Sequence, residues 1–228
     1  PYLTRKHGPR EIVISGYGKR LPTGIWPSAR SEFALAVIRE AYPAIEPIED
    51  PLSGALMNAG PIIHPPLILM NAGPLQHFPH WDIHNEGTQP AIRAVTDALD
   101  AERMAIREAF GYRAPHFPLA HHYAKEGEEW MYGRGAHDRL TDSGDWREHI
   151  DLYTHRYMLE DTRLGLSLLV SAGRYNGTPT PVASGSLAIA SAAIGRDLYS
   201  EGRTFESLGL NALSREALSD LLARGYAA

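Results

Sequence analysis

The sequence has no cysteine among its 228 residues, which excludes a disulfide framework, a thiolate nucleophile and a Cys-ligated zinc site, and agrees with a reducing compartment. It also lacks a long hydrophobic run. The most apolar stretch, 61–70, is broken by His64, Pro65 and Pro66 and falls short of the roughly 20 residues needed to span a bilayer. An excess of positive charge is missing too: 22 Lys and Arg stand against 27 Asp and Glu, for a net charge of -5. Without clustered Lys and Arg, recognition of nucleic acid or of an anionic membrane surface is excluded. The first residues carry neither a signal-peptide h-region nor a methionine, so Pro1 is expected to continue a longer polypeptide, with the cytoplasm as its compartment.

What is present is 43% apolar residues, enough at this length for one large domain or for one domain with a fragment of another. EIVIS at 11–15 is a short β-branched run closed by Gly16, which predicts a buried strand of an α/β sheet. A helix is expected over 31–41, with Phe33, Ala34, Val37 and Ile38 as its apolar side and Pro43 just beyond its end. AIEPIED then supplies a short strand or an extended linker. Residues 1–50 therefore predict a strand, helix and strand, too little sheet to stand alone.

From residue 51 onward the apolar spacing becomes helical, between joints rich in proline and glycine. The clearest helix spans 88–111: Thr88 caps it, Pro90 suits its first turn, Gly111 ends it, and Ile92, Val95, Leu99, Ile106 and Phe110 form its buried stripe. Further helices are expected over 160–175, 181–194 and 214–223, the last with Ser214 as N-cap and Gly225 just past its end. The stretch 115–146, rich in His, Gly, Trp and Tyr, predicts short helices joined by ordered loops that either border an active site or pack as a surface excursion. No internal repeat is present.

Three segments carry candidate chemistry. Gly16-Tyr17-Gly18 begins like a dinucleotide fingerprint, but Leu21 stands where the third glycine belongs, and Pro22 and Gly24 interrupt any following helix. It fails as a fingerprint. In 55–74, His64 sits in an apolar stretch between Asn58 and Asn71. It reads either as a satisfied core histidine or as a proton-transfer group. Pro65 and Pro66 favour a helix starting at His64, whose dipole would suit an imidazole exchanging protons near neutral pH, with Asn71 on the same face two turns on. In 155–169, Arg156 and Glu160 are spaced for a surface ion pair of little worth. Alternatively, Arg156 grips a substrate carboxylate while Asp161 accepts from the imidazole of His64 and fixes its tautomer.

These last two segments resemble, in the same order, the signature stretches of the octopine/nopaline (opine) dehydrogenase family. The resemblance covers most of the chain. It runs through Asn58, His64-Pro65 and Asn71, then Glu86-Gly87, then Asp100-Ala101-Glu102-Arg103, then Arg156-Tyr157 with Glu160-Asp161. Pro179-Thr180-Pro181 and Glu201-Gly202-Arg203-Thr204, leading to Leu208-Gly209, complete it. The chain departs from the family where a tyrosine tends to precede the Glu-Gly pair; here His84 and Asn85 do, which leaves the amino donor open.

The resemblance implies a mainly α fold: a helical dehydrogenase C-terminal domain at 51–228, similar to the C-terminal domain of 6-phosphogluconate dehydrogenase, after a short α/β remnant of a Rossmann domain at 1–50. It implies NAD or NADP as cofactor, bound mainly by a Rossmann domain largely absent from this chain, so no cofactor-binding residue is assigned. The implied reaction is NAD(P)H-dependent reduction of the imine formed from an α-keto acid, such as pyruvate, and an amino acid. Carried over by residue, His64 is the acid/base group, Asp161 its orienting partner and Arg156 the carboxylate anchor; Asn71, on the face of His64, and His84, at the point of departure from the family, are expected to face substrate without being carried over. The expected partners are the small-molecule amino acid and keto acid, the missing Rossmann domain and a second copy as homodimer.

Other marks read structurally. His77, His80 and His84 have spacings that suit a metal, but Pro79 opposes a regular helix there, so solvated or substrate-facing histidines are expected and no metal is assigned. His121-His122 reads as surface. Glu102 and Arg103 are expected to be solvated or paired with a neighbouring helix, and Glu201 and Arg203 to tie the last turn to the domain. Two rival functions stay open: reduction of a 2- or 3-keto acid to the hydroxy acid by the same residues, and a non-catalytic helical module for oligomerisation or ligand capture.

Overall fold

The computed structural model describes residues 2–123, 126 and 146–226. Most of the expected loop region at 115–146 lies outside the described residues. In chain order the strands are β1 (Tyr2–Gly8), β2 (Glu11–Tyr17), β3 (Leu21–Thr23), β4 (Ile45–Pro47), β5 (Trp81–Asp82) and β6 (Arg147–Glu148). The α-helices are α1 (Ser31–Ala41), α2 (Pro51–Ala55), α3 (Gly60–Met70), α4 (Ala72–His77), α5 (Pro90–Ala109), α6 (Ala120–Tyr123), α7 (Ser167–Asn176), α8 (Pro181–Ile194) and α9 (Arg215–Arg224). A π-helical segment, Tyr157–Leu166, leads directly into α7. The fold is mainly α, as expected. Contacts gather the chain into two units: Pro1–Met57 with Ala114–Leu140 and Leu213–Ala228, and Asn58–Arg113 with Thr141–Ala212. The last helix, α9, belongs to the first of these units.

In the first unit the EIVIS strand corrects the expectation. It pairs antiparallel with β1, the strand directly before it, and leaves Ile12 67% and Ile14 42% exposed. A two-stranded ribbon closed by a local turn needs no sheet interior, so its β-branched residues reflect strand propensity rather than burial. The strand, helix and strand unit exists with a different first strand: β3 pairs parallel with β4, and α1 makes the crossover. The expected apolar side of α1 is also turned outward, with Phe33 75% and Val37 53% exposed, while Leu35 is the buried residue. The last helix follows its caps: Ser214 Oγ accepts from the Ala217 N–H at 3.2 Å, and Gly225 leaves the helix at φ +81°.

The second unit is a helical core. Ile62 and Ile68 of α3, Leu99 and Ile106 of α5, Met158 and Leu166 of the π-helical segment, and Val170 of α7 are all buried. Pro90 opens α5 as expected, but the N-cap is Gln89; the Thr88 hydroxyl instead donates to the Ile83 carbonyl at 3.1 Å. The helix expected from residue 160 begins earlier, at Tyr157, and runs through wide π turns before becoming α-helical at Ser167. Two glycines allow α3 to lie against it. A Cβ on Gly165 would stand 2.3 Å from Pro61 Cγ, and one on Gly60 would stand 2.4 Å from Asp161 Oδ1.

Glu102 is buried and pairs with a neighbouring helix, while Arg103 is buried beside Asp100 of its own helix at 2.6 Å. Solvation, the other expectation for them, does not hold. The Glu102 carboxylate accepts from the N–H groups of Val182 and Ala183, at 2.6 and 2.9 Å, and so caps α8 from outside. Thr180, the residue at the N-cap position, makes no side-chain cap bond. Glu102→Ala leaves those donors buried and unpaired, and is expected to destabilise the unit by about 1–3 kcal/mol, with Glu102→Gln costing less because its carbonyl still accepts. Denaturant titration of the two variants reads the difference; equal stability of wild type and Glu102→Ala would show that the cap contributes nothing.

Candidate active site

His64 lies in the body of α3. The expected helix start at His64 is corrected: α3 begins four residues earlier, at Gly60, with Pro61 in its first turn, and Pro65 and Pro66 stand inside it. Having no N–H, the two prolines supply no rung to the carbonyls of Pro61 and Ile62. Because the dipole field fades within the first turn, it contributes less at His64 than a helix beginning there would supply. The side chain across from it contributes more. His64 Nδ1 is 2.8 Å from Asp161 Oδ2, with His64 retaining 18% and Asp161 9% side-chain exposure. A carboxylate only accepts, so this contact places the N–H at Nδ1 and leaves Nε2 with its lone pair.

Asp161 reaches His64 from the π-helical segment, and so does Tyr157. The Tyr157 ring stacks on the imidazole at 3.7 Å between centroids and 9° between planes. In turns wider than the 3.6 residues of an α-helix, side chains four apart come nearer to eclipse, which suits two residues serving one ring. The Tyr157 hydroxyl is 2.8 Å from His84 Nε2. His84 stands edge-on to His64 at 6.2 Å and to Trp146 at 4.4 Å. His84 is presented by a turn: the N–H groups of His84 and Asn85 both donate to the buried Asp82 carboxylate, at 3.1 and 3.0 Å.

The structure thus brings His64, Asp161 and His84 together. It does not join Asn71 to them. The buried Asn71 amide donates to the carbonyls of Leu67 and Gly87 at 2.9 and 3.0 Å and accepts from Trp81 Nε1 at 2.9 Å. That bonding makes it a brace behind the His84 turn. It also explains Gly87, where a Cβ would lie 2.8 Å from Asn71 Oδ1. Arg156 makes the bland contact weighed for it: its Nε is 3.5 Å from Glu160 Oε2, with both side chains 61% exposed. His80 Nδ1 lies 2.8 Å from the Pro79 carbonyl, and His77 meets Phe78 edge-on. Among the described residues no group of three or more His, Cys, Asp or Glu side chains is placed to hold a metal ion.

Tyr157, Trp146 and Asp82 are the site residues that sequence reasoning missed. Tyr157 had a signal, since it stands four residues before Asp161 and so shares its helix face. His155 completes the surroundings of Tyr157, edge-on at 4.5 Å, with its Nδ1 accepting from the Tyr157 N–H at 3.3 Å. Burial lowers the proton affinity of His155 below the ordinary value of 6.5, opposed by the charges of Glu148 and Asp161. Its folded-state pKa lies below the unfolded one, so between the two values the native state binds fewer protons. Stability therefore rises with pH across that window and is lost as pH falls through about 6.5 toward the folded value. Urea titrations between neutral and mildly acidic pH are expected to show a smaller acid loss for His155→Gln than for wild type; identical slopes would remove His155 from the acid sensitivity.

The sequence model of the NAD/NADP octopine/nopaline dehydrogenase alpha-helical domain matches residues 47–194, which include every residue of this cluster. The chain belongs to that family. An opine dehydrogenase of Arthrobacter sp. (strain 1C) is 28% identical over 219 residues, covering 93% of this chain and 59% of that protein. A vitopine synthase of Allorhizobium ampelinum is 25% identical over 188 residues, covering 76% of this chain and 48% of that protein. The chain therefore spans about half the length of the vitopine synthase and about three fifths of that of the opine dehydrogenase. No helix among its described residues is long and apolar enough to cross a membrane.

Proposed function

We propose that this chain is the substrate-binding and proton-handling part of an opine-type dehydrogenase, which reduces the imine of an α-keto acid and an amino acid with NAD(P)H. The observation that carries the reading is the His64 and Asp161 pair at 2.8 Å in a member of this family. Condensation requires the carbinolamine hydroxyl to leave as water, and reduction requires the product nitrogen to keep a proton. An imidazole whose Nδ1–H is held by a carboxylate exchanges protons at Nε2 in both steps. Asp161 stabilises the imidazolium when it forms.

Arg156 is the carboxylate anchor in this reading. Its guanidinium is exposed, directly precedes Tyr157, and is held by one long contact to an equally exposed Glu160, so a substrate carboxylate displaces that partner at little cost. His84 faces the amino donor. Asn71 acts behind it rather than on substrate.

The nicotinamide nucleotide supplies the hydride when bound. The described residues do not fit its pyrophosphate: Gly16 lies inside β2, and the chain past Gly18 runs into β3 rather than into the start of a helix. No step is therefore routed through it. We assign it to a Rossmann domain largely outside these residues, with 1–50 as its tail; the parallel β3 and β4 pair joined by α1 is the building unit of such a domain.

The test uses the intact enzyme with saturating pyruvate and NAD(P)H. Oxidation of the nucleotide is expected to depend on an added amino acid and to yield a secondary amine dicarboxylate. Consumption of pyruvate at the same rate without an amino acid would replace this reading with reduction of the keto acid to the hydroxy acid.

A further inference from the structure

One hydrogen bond does not orient an imidazole. The His64 Nδ1 contact to Asp161 fixes the direction of the ring within its own plane but leaves rotation about the line joining Nδ1 to Oδ2. That rotation sweeps Nε2 across an arc, and a proton donor about 1 Å out of place forfeits on the order of 100-fold in rate. A second constraint, normal to the ring, is required to define the position of Nε2.

Tyr157 stands where that constraint is needed. It is 5% exposed, and its ring lies parallel to His64 at 3.7 Å with 9° between the planes. Parallel stacking at this distance resists tilting of either ring. Tyr157 is itself held: its N–H donates to His155 Nδ1, its hydroxyl meets His84 Nε2, and His155 closes its edge. Asp161 comes from the same π-helical segment, so the two constraints on His64 move as one body.

We propose that Tyr157 is a positioning residue for His64, its ring setting the imidazole plane while Asp161 sets the ring's direction, and its hydroxyl coupling that plane to the His84 turn. This rests on the reading of His64 as the proton-transfer group. The ring supplies the positioning and the hydroxyl links it to the donor side, so the two parts of the side chain have separable consequences. Removing the ring misplaces Nε2. Removing the hydroxyl takes one contact from His84 and leaves Nε2 in place.

The experiment compares Tyr157→Leu and Tyr157→Phe in the intact enzyme. Leu is expected to lower kcat about 100-fold with little change in KM for the keto acid. Phe, which keeps the ring, is expected to restore kcat to within a few-fold while raising KM for the amino donor. In a His64→Ala background the Leu substitution is expected to add nothing, because it acts only through His64. Proton NMR of the histidine ring gives a readout independent of turnover: the His64 Cε1–H resonance of wild type is expected upfield, displaced by the Tyr157 ring current, and to keep that displacement in Phe but lose it in Leu. If Leu unfolds the domain, Tyr157→Met carries the same expectations. Absence of the displacement in wild type overturns the proposal. So does an additive loss in the His64→Ala background, or wild-type kcat in Tyr157→Leu while His64→Ala is inactive. Wild-type turnover by His64→Ala overturns the proposal together with the functional reading on which it rests.

Discussion

Replacing His64 with alanine is expected to lower kcat by about 100- to 10,000-fold, the range for losing a positioned general acid/base, while the domain keeps its fold. His64 is partly exposed and stacked on the Tyr157 ring, so its truncation opens less cavity than that of a fully buried side chain. KM for the keto acid should change far less, because in the proposed reading the imidazole works on protons while Arg156 holds the carboxylate. Asp161→Asn should follow in direction with a smaller loss. The amide can turn either its oxygen or its nitrogen toward Nδ1, and in neither arrangement does it stabilise an imidazolium as a carboxylate does. Steady-state kinetics with circular dichroism of the same samples decides the matter. A folded His64→Ala enzyme with wild-type turnover would place the proton chemistry elsewhere and return His64 to the reading of a satisfied histidine.

That bland reading was a fair one from sequence, and it shows where legibility stopped. The helices were readable where local rules act alone. Ser214 and Gly225 bound α9, Gly111 follows α5, and the 181–194 helix runs as spaced. Errors arose where tertiary packing overrode a local signal. Two prolines after His64 mark a helix start in isolation, but Gly60 and Pro61 open α3 earlier because Gly60 and Gly165 let that stretch pack against the π-helical segment. EIVIS has the composition of a buried strand, and its nearest partner in the chain claimed it first. At the site, the residues leave the pairing of His64 with Asp161 as one of two alternatives and the family resemblance selects it; 97 positions separate the two, and no periodicity links residues that far apart. Asn71 caps the C-terminus of α3, and only the folded chain reveals that Trp81 and Gly87 use its amide. The role of Tyr157 is not legible in the sequence because its ring and hydroxyl meet two distant stretches of the chain, at His64 and His84.

The glycines between α3 and the π-helical segment predict a second large effect, and the two positions should fail differently. In Gly165→Ala the new Cβ falls 2.3 Å from Pro61 Cγ and 2.6 Å from Pro61 Cβ. A proline ring pinned in the first turn of a helix yields little, so the helices must separate. Overpacking of this kind costs about 1–3 kcal/mol, and the separation carries Asp161 away from His64, so stability and turnover fall together. In Gly60→Ala the Cβ falls 2.4 Å from Asp161 Oδ1, the tip of a side chain that can turn aside. Stability should then suffer less, while the carboxylate loses its alignment with Nδ1. A displacement near 1 Å there is expected to cost on the order of 100-fold in kcat. Thermal melts paired with kinetics separate the two cases. If Gly60→Ala melts far below wild type but keeps its kcat, the carboxylate's alignment is not what the glycine protects. If it melts close to wild type and loses turnover, the close approach at Gly60 serves the alignment of Asp161 with His64 rather than the stability of the fold.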